Sequence, residues 1–164
     1  MATSRGKVFE TELKSSIEHQ GVMIERIPDK VFWNGKRLLS QQTKADFIAY
    51  VARQRVIPLM IEAKATAEKR IAFNALQEHQ RDALIEFEGY HEDMKSFVAV
   101  NFYDNVNIRR MNRCFMVPIS VWVEYEAGDK KSIPIAIMES DERIIECERV
   151  AGSIYDMTPW LKMI

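Results

Sequence analysis

Apolar and polar positions follow several rhythms along the chain, and each rhythm predicts a different element. From Gly6 to Gln20 the apolar residues Phe9, Leu13 and Ile17 recur every four positions, the spacing of one helix face. Ser4 stands where an N-cap belongs and Gly21 where a helix stops. Glu10 leans towards the buried stripe, three residues before Leu13 and seven before Ile17, whereas Glu12 turns away from Phe9 and Leu13. A carboxylate at the edge of a buried face costs stability unless something compensates it. The alternative is a long side chain that reaches out to water. Val22–Ile27 reads as a first strand, and Pro28–Gln42 has little periodicity and a turn signal at Asn34-Gly35.

Two apolar runs, Phe47–Val51 and Val56–Ile61, flank Ala52-Arg53-Gln54-Arg55 and predict a hairpin. Pro58, inside the second run, predicts a bulge or an unpaired amide there and a register open to a one-residue slip. A long helix is expected from about Phe73 to Met94, on the spacing of Phe73, Leu76, Ala83, Leu84, Phe87 and Met94. Gln80 falls inside that stripe, where a polar amide needs a hydrogen-bonding partner. His79 lies off the stripe, and Glu86, Glu88, Glu92 and Asp93 read as a solvated face. Phe97–Tyr103 is an almost continuous apolar strand, as expected when both faces are covered. Cys114–Val117 is a second strand and Ile119–Glu126, led by Pro118, a short helix. Beyond Ser132 the pattern weakens to a strand at Ile133–Met138 and a helix near Asp141–Val150.

Composition narrows the class. The 164 residues suit one domain, 1–164, with a single sizeable core. No apolar run approaches a membrane span and Met1–Lys7 lacks a signal-peptide core, so a cytoplasmic protein without membrane contact is expected. The two cysteines, far apart and without C-x-x-C spacing, suggest a reducing compartment and argue against a disulfide scaffold or a structural zinc site. Charge is divided unevenly: residues 1–81 carry a net +5 and residues 82–164 a net −6. The basic half holds Arg53 and Arg55 at the hairpin tip, Lys44 at its start, and an aromatic-basic cluster of Phe32, Trp33, Lys36 and Arg37. Such clusters stack on bases and contact phosphates, so these positions are candidate DNA contacts, the alternative for Phe32 and Trp33 being a hairpin packed on the domain.

The candidate chemistry sits at the end of the hairpin. Its second run closes in Glu62-Ala63-Lys64, and strand alternation puts Glu62 and Lys64 on one face with Ala63 pointing away. A turn centred on Gln54 sets Asp46 opposite Glu62. Two carboxylates so placed repel each other unless a cation sits between them, and a hard divalent ion with oxygen ligands is the natural occupant. An isolated E-x-K tripeptide is common by chance and by itself reads as a solvated strand end.

Asp46…Glu62-Ala63-Lys64 resembles the site of PD-(D/E)xK nucleases, and the wider set of motifs resembles the RecU-type Holliday junction resolvases. Arg5-Gly6-Lys7-Val8-Phe9-Glu10-Thr11-Glu12-Leu13 is similar to that family's opening motif. Gln42-Thr43-Lys44-Ala45-Asp46-Phe47 is similar to its second, Ile61-Glu62-Ala63-Lys64 to its third, and His79-Gln80 to its H-Q pair. Lys44 stands where the family usually has threonine, and Pro28–Gln42 is shorter than the family's projecting stalk. The literal Pro28-Asp29 competes for the motif's name, but hairpin pairing favours Asp46.

The resemblance implies an α/β restriction-endonuclease-like core, a mixed central sheet with a catalytic β-hairpin flanked by helices, and a short projecting segment at about 28–42. It implies a structure-selective endodeoxyribonuclease that resolves four-way DNA junctions as a homodimer, with Mg²⁺, or alternatively Mn²⁺, as cofactor. Asp46, Glu62, the Ala63 carbonyl and Glu10 would be its ligands, and Lys64 and Gln80 would complete the catalytic set. Two other readings remain at this point: a nuclease without junction preference, and a non-catalytic DNA-binding protein.

Overall fold

The computed structural model describes residues 4–41, 43–107, 111–151 and 154–164, with the side chains of 30–33, 38–41 and 151 left aside. In chain order the elements are α1 (Arg5–His19), β1 (Met23–Arg26), β2 (Lys30–Trp33), β3 (Leu38–Gln41), β4 (Phe47–Ala52) and β5 (Val56–Thr66). There follow β6 (Arg70–Ala72), a 3₁₀ turn at Phe73–Ala75, α2 (Glu78–Gly89), β7 (Lys95–Tyr103), β8 (Asn112–Pro118) and α3 (Ile119–Glu126). The chain ends with β9 (Ser132–Pro134), α4 (Ile135–Ser140), β10 (Ile145–Cys147), β11 (Arg149–Ala151), β12 (Ile154–Tyr155) and α5 (Thr158–Met163).

Six strands form one mixed sheet in the order β1-β4-β5-β7-β8-β10, and only the β5–β7 pair is parallel. Helix α1 covers one face: Phe9, Leu13 and Ile17 pack on Phe47, Leu59 and Ile61, and Tyr155, Met157 and Trp160 fill the same layer. The other face carries the 3₁₀ turn, α2 and α3, where Phe73, Leu84 and Trp122 pack on Val98, Val100 and Phe115. β7 is buried on both sides, which accounts for its unbroken apolar run. Of the weakly patterned stretch beyond Ser132, Ile133, Met138 and Ile144 join the second layer, while Cys147, Tyr155, Met157 and Trp160 close the first.

Most expected elements are present, and several boundaries need correction. Ser4 caps α1, its hydroxyl accepting from the Lys7 amide, and Gly21 takes φ +75°, a conformation that favours glycine just past a helix. The β4–β5 ladder runs in register through Pro58, opposite Tyr50, so the expected bulge does not form. Pairing of β5 with β7 starts only at Leu59, so Pro58 interrupts no ladder on that side.

The long helix expected from Phe73 starts only at Glu78 and ends at Gly89. Phe73 and Leu76 bury their side chains from the 3₁₀ turn and its exit instead. Glu88 and Asp93 are not simply solvated: Glu88 accepts from the Ser96 amide at 2.8 Å, and Asp93 pairs with Arg55 at 2.7 Å. Ile133–Met138 is a three-residue strand followed by a helical turn, and the region near Asp141–Val150 is two short strands rather than a helix. Glu12 is buried rather than turned outwards, 2.7 Å from Arg5 and within reach of the Tyr155 hydroxyl. The cysteines, remote in sequence, face each other across β8 and β10 as buried free thiols.

The end of α4 is tied to α3 by Asp141. Its carboxylate accepts from the Tyr125 hydroxyl at 2.8 Å and from the Arg143 amide and guanidinium at 2.8–3.0 Å. Hydrogen bonds from Arg143, first of all, hold this carboxyl well below its ordinary value of 3.8. A carboxyl depressed on folding contributes stability that is present above its unfolded value and is lost as pH falls through the folded one. Asp141→Asn should therefore lower the melting temperature at neutral pH. The gap to the unsubstituted protein should start to narrow below the ordinary carboxylate value and go on narrowing towards the much lower folded one, and melting curves at pH 7, pH 3 and pH 2 check this.

Candidate active site

Three elements meet at the end of the β4–β5 hairpin remote from its turn. Ala52 pairs with Val56 and Phe47 with Ile61, so the register centres on Gln54 and continues to Asp46 opposite Glu62. Ala63 belongs to the α1 side of the sheet, which leaves Glu62 and Lys64 facing α2. Asp46 Oδ2 accepts from the Ala63 amide at 2.9 Å, so its carboxylate is held against the backbone between Glu62 and Lys64.

Gln80 reaches the pair from the first turn of α2, not from mid-helix. It is the third helical residue in a capping box with Gln77, its own Oε1 accepting from the Gln77 amide at 3.1 Å. The same Oε1 accepts from Lys64 Nζ at 3.0 Å, while Nε2 donates to Glu62 Oε1 at 2.6 Å. Lys64 Nζ also donates to Glu62 Oε1 at 2.7 Å. One carboxamide thus caps the helix and closes a triangle with Glu62 and Lys64.

Glu62 is only 1% exposed, and its second oxygen, Oε2, is buried without a donor among the described residues. Burial first, and then repulsion from Asp46, push its carboxyl up to about 7. Burial also raises Asp46, against the Ala63 amide and Lys64, which favour its charged form. Glu10 is raised by burial and by the charge of Asp46. Its carboxylate meets Arg26 of β1 at 2.7 Å, an interaction that the sequence reading missed. The signal was the basic residue four positions before Lys30 on a strand beside β4, but nothing local ties Arg26 to Glu10.

An unpaired buried oxygen and two mutually repelling carboxylates suit a divalent cation. Among the described residues no three His, Cys, Asp or Glu side chains converge as a ready ligand set. The fit is therefore to an ion that keeps much of its own water and takes one or two carboxylates, as Mg²⁺ does. A polar pocket of about 210 Å³ opens beside Asp46, walled by Arg26, Asp29, Thr43, Gln77 and Gln80. Asp29, the competing aspartate, accepts from the Thr43 amide at 3.3 Å and closes the base of the β2–β3 hairpin rather than joining Glu62.

The expected DNA contacts divide. Lys36 and Arg37 are exposed at the β2–β3 turn, where their amides donate to Asn34 Oδ1 and Gly35 takes φ +88°. The side chain of Trp33 lies outside the described residues, as does Gln42 of the second motif. Lys44 approaches Glu86 at 3.5 Å, Arg55 pairs with Asp93, and Arg53 donates to the Leu161 carbonyl at 2.5 Å. Arg53 and Arg55 moreover occupy the far end of β5, six or more strand residues, about 20 Å, from Glu62. The hairpin tip and the carboxylates are therefore separate places, at opposite ends of the β4–β5 ladder.

The family model RecU, described as recombination protein U, matches residues 4–155. Comparison with curated protein sequences gives no match. Among solved structures, a Holliday junction resolvase, Hjc from Archaeoglobus fulgidus, is similar with a TM-score of 0.52 and 17% identity, over 80% of this chain and 90% of that one. At that identity the likeness bears on the fold.

Gln80→Ala would open the capping box and leave Lys64 and Glu62 each one partner short. The loss of a helix cap and of bonds to charged groups should cost about 1–3 kcal/mol, read from urea unfolding midpoints.

Proposed function

This chain belongs to the RecU family of recombination proteins, and from that premise we propose that it cuts four-way (Holliday) junction DNA as a metal-dependent endonuclease. The observation that carries the reading is the triangle of Glu62, Lys64 and Gln80 beside Asp46, with Glu62 pushed up to about 7. Asp46 and Glu62, with the Ala63 carbonyl and Glu10 as further candidates, would hold Mg²⁺ or Mn²⁺, which when bound polarises a phosphate and lowers the pKa of bound water. Lys64, held by Glu62 and Gln80, orients the attacking water and places a positive charge where negative charge grows on phosphorus. Arg26 lines the pocket, is more than half exposed, and can turn its guanidinium to a phosphate when Glu10 takes another partner. As water adds to phosphorus the scissile P–O bond breaks, and the proton that the water gives up reaches the departing sugar oxygen through solvent.

Two symmetric cuts across a four-way junction need two sites, and a two-fold dimer matches the symmetry of that substrate. Exposed apolar residues at the β1–β4 margin of the α2-side face support this part of the reading. Met23 is 60% exposed and Val56 58%, on the same face as the half-buried Tyr50, Pro58 and Met60 and next to the Asp46–Glu62 row. Its rim carries both signs, Glu25 and the Arg55–Asp93 pair, as a self-complementary interface requires. A second copy is the occupant that this face suits.

Glu62→Ala should abolish junction cleavage, with or without added Mg²⁺, while junction binding persists or tightens as a carboxylate beside the phosphates is lost. Cleavage by this variant at the unsubstituted rate would sink the assignment. Cutting linear duplex of the same sequence as fast as the junction would favour the nuclease without junction preference. Met23→Asp, which puts a charge into this exposed margin, should shift light-scattering mass from dimer to monomer without loss of fold.

A further inference from the structure

We propose that the β6–β9 ribbon is a second DNA-contacting surface, which grips the phosphates of a duplex arm leading away from the carboxylates. The inference rests on the DNA-cleaving reading above and adds to it a place outside that site.

The ribbon pairs Arg70 with Pro134, Ile71 with Ile133 and Ala72 with Ser132. Ile71 and Ile133 are buried in the α2-side core, so alternation leaves Arg70 on the outer face. The Ile135 amide donates to the Lys69 carbonyl at 3.0 Å and the Phe73 amide to the Lys131 carbonyl at 3.1 Å, so the ladder extends at both ends. Lys69 and Arg70 therefore stand at one end and Lys130 and Lys131 at the other. Alternation puts Arg70 and Lys130 on the outer face, while Lys69 and Lys131, on the parity of Ile71 and Ile133, come to the surface where the ladder ends. All four are exposed, and among the described residues none takes part in an ion pair. That sets them apart from Lys44, Arg53 and Arg55, each of which has an internal partner. Two exposed carboxylates, Glu68 and Asp129, flank the ribbon, and Glu78 and Glu126 line the groove beside Arg81, so the four ribbon cations and Arg81 keep an excess of one positive charge over these four carboxylates.

Position relates the ribbon to the site. Glu62, Lys64 and Thr66 lie on one face of β5, and the chain turns directly from Thr66 into β6. Arg70 follows Lys64 by six positions, so the two lie within about 20 Å of each other. An open groove of about 690 Å³ runs from Leu76, just before the start of α2, past Arg81 to Lys130 and Lys131. The opposite side of that helix start, Gln77 and Gln80, walls the active-site pocket. Lys69 and Phe73, which mark the two ends, are about 13 Å apart along an extended strand. That is close to the ~12 Å width of a major groove, so the two cation pairs can meet the phosphates on its two edges.

Binding to four-way junctions tests this in the Glu62→Ala background, which prevents cutting. Junctions with arms of about 20 base pairs reach past the ribbon, whereas arms of about 5 base pairs, about 17 Å at 3.4 Å each, do not cover both the gap to the ribbon and its length of about 13 Å. Lys69→Gln/Arg70→Gln and Lys130→Gln/Lys131→Gln, made separately, should each raise Kd for the long-arm junction about tenfold and flatten the slope of log K against log salt by about 1.8. On short-arm junctions each substitution should cost clearly less than on long-arm ones, and Lys130→Arg/Lys131→Arg should behave as the parent. Should one pair fail to fold, the other still decides. Unchanged Kd and salt slope on long arms would overturn the ribbon, as would equal losses on short and long arms, which would move the cations to the crossover. Absence of salt-dependent junction binding by the parent would instead overturn the reading of the site itself.

Discussion

A carboxylate taken out of water sets the terms for this fold. Glu62 sits on a strand buried between two helical layers, with one oxygen bonded twice and the other bonded to no donor among the described residues. Left alone, such a group becomes protonated or forces the structure open. Here Lys64 and Gln80 satisfy one side, and the facing Asp46 makes the remaining deficit worse rather than better. The site is thus incomplete without a positive charge. Its incompleteness sits at the buried centre of the six-stranded sheet.

The helix start of α2 carries two duties at once. Gln80 fills the third position of a capping box and also orients Lys64, so any movement that uncaps the helix disarms the ammonium group. Serine or threonine at the cap would serve the helix as well as Gln77 does. What the carboxamide at position 80 adds is reach: it accepts from two donors and still donates to Glu62. Local helix chemistry and site chemistry are in this way one set of bonds.

Legibility in the sequence followed the range of the interactions. The β4–β5 register was readable because alternation and the turn at Gln54 are local, and the same reading put Glu62 and Lys64 on one face. The start of α2 was misread because Phe73 and Leu76 happen to fit a helical period although they pack from a 3₁₀ turn, and because a Gln cap gives a weaker signal than Ser or Asp. Arg53 and Arg55 looked like free cations because their partners, the Leu161 carbonyl and Asp93, lie far along the chain. The ribbon cations were hidden for the opposite reason. Lys69-Arg70 and Lys130-Lys131 are unremarkable pairs until β6 and β9 are laid side by side.

Helix α1 shows why a second buried network is needed to hold the first in place. At about 100° per residue, Glu10 and Glu12 point roughly 200° apart, so one helix serves two surroundings. Glu10 turns to Arg26 and the charge of Asp46. Glu12 is locked behind it by Arg5 and Tyr155, and Asn101 and Asn112 complete the cluster at 2.6–3.1 Å from their partners. These bonds join α1 to β7, β8 and β12, and a polar cluster of this kind is satisfied in only one rotation of the helix. An apolar contact would tolerate a slide or a turn of α1. The polar one does not, and it thereby keeps Glu10 aimed at the end of the hairpin where Asp46 and Glu62 face each other.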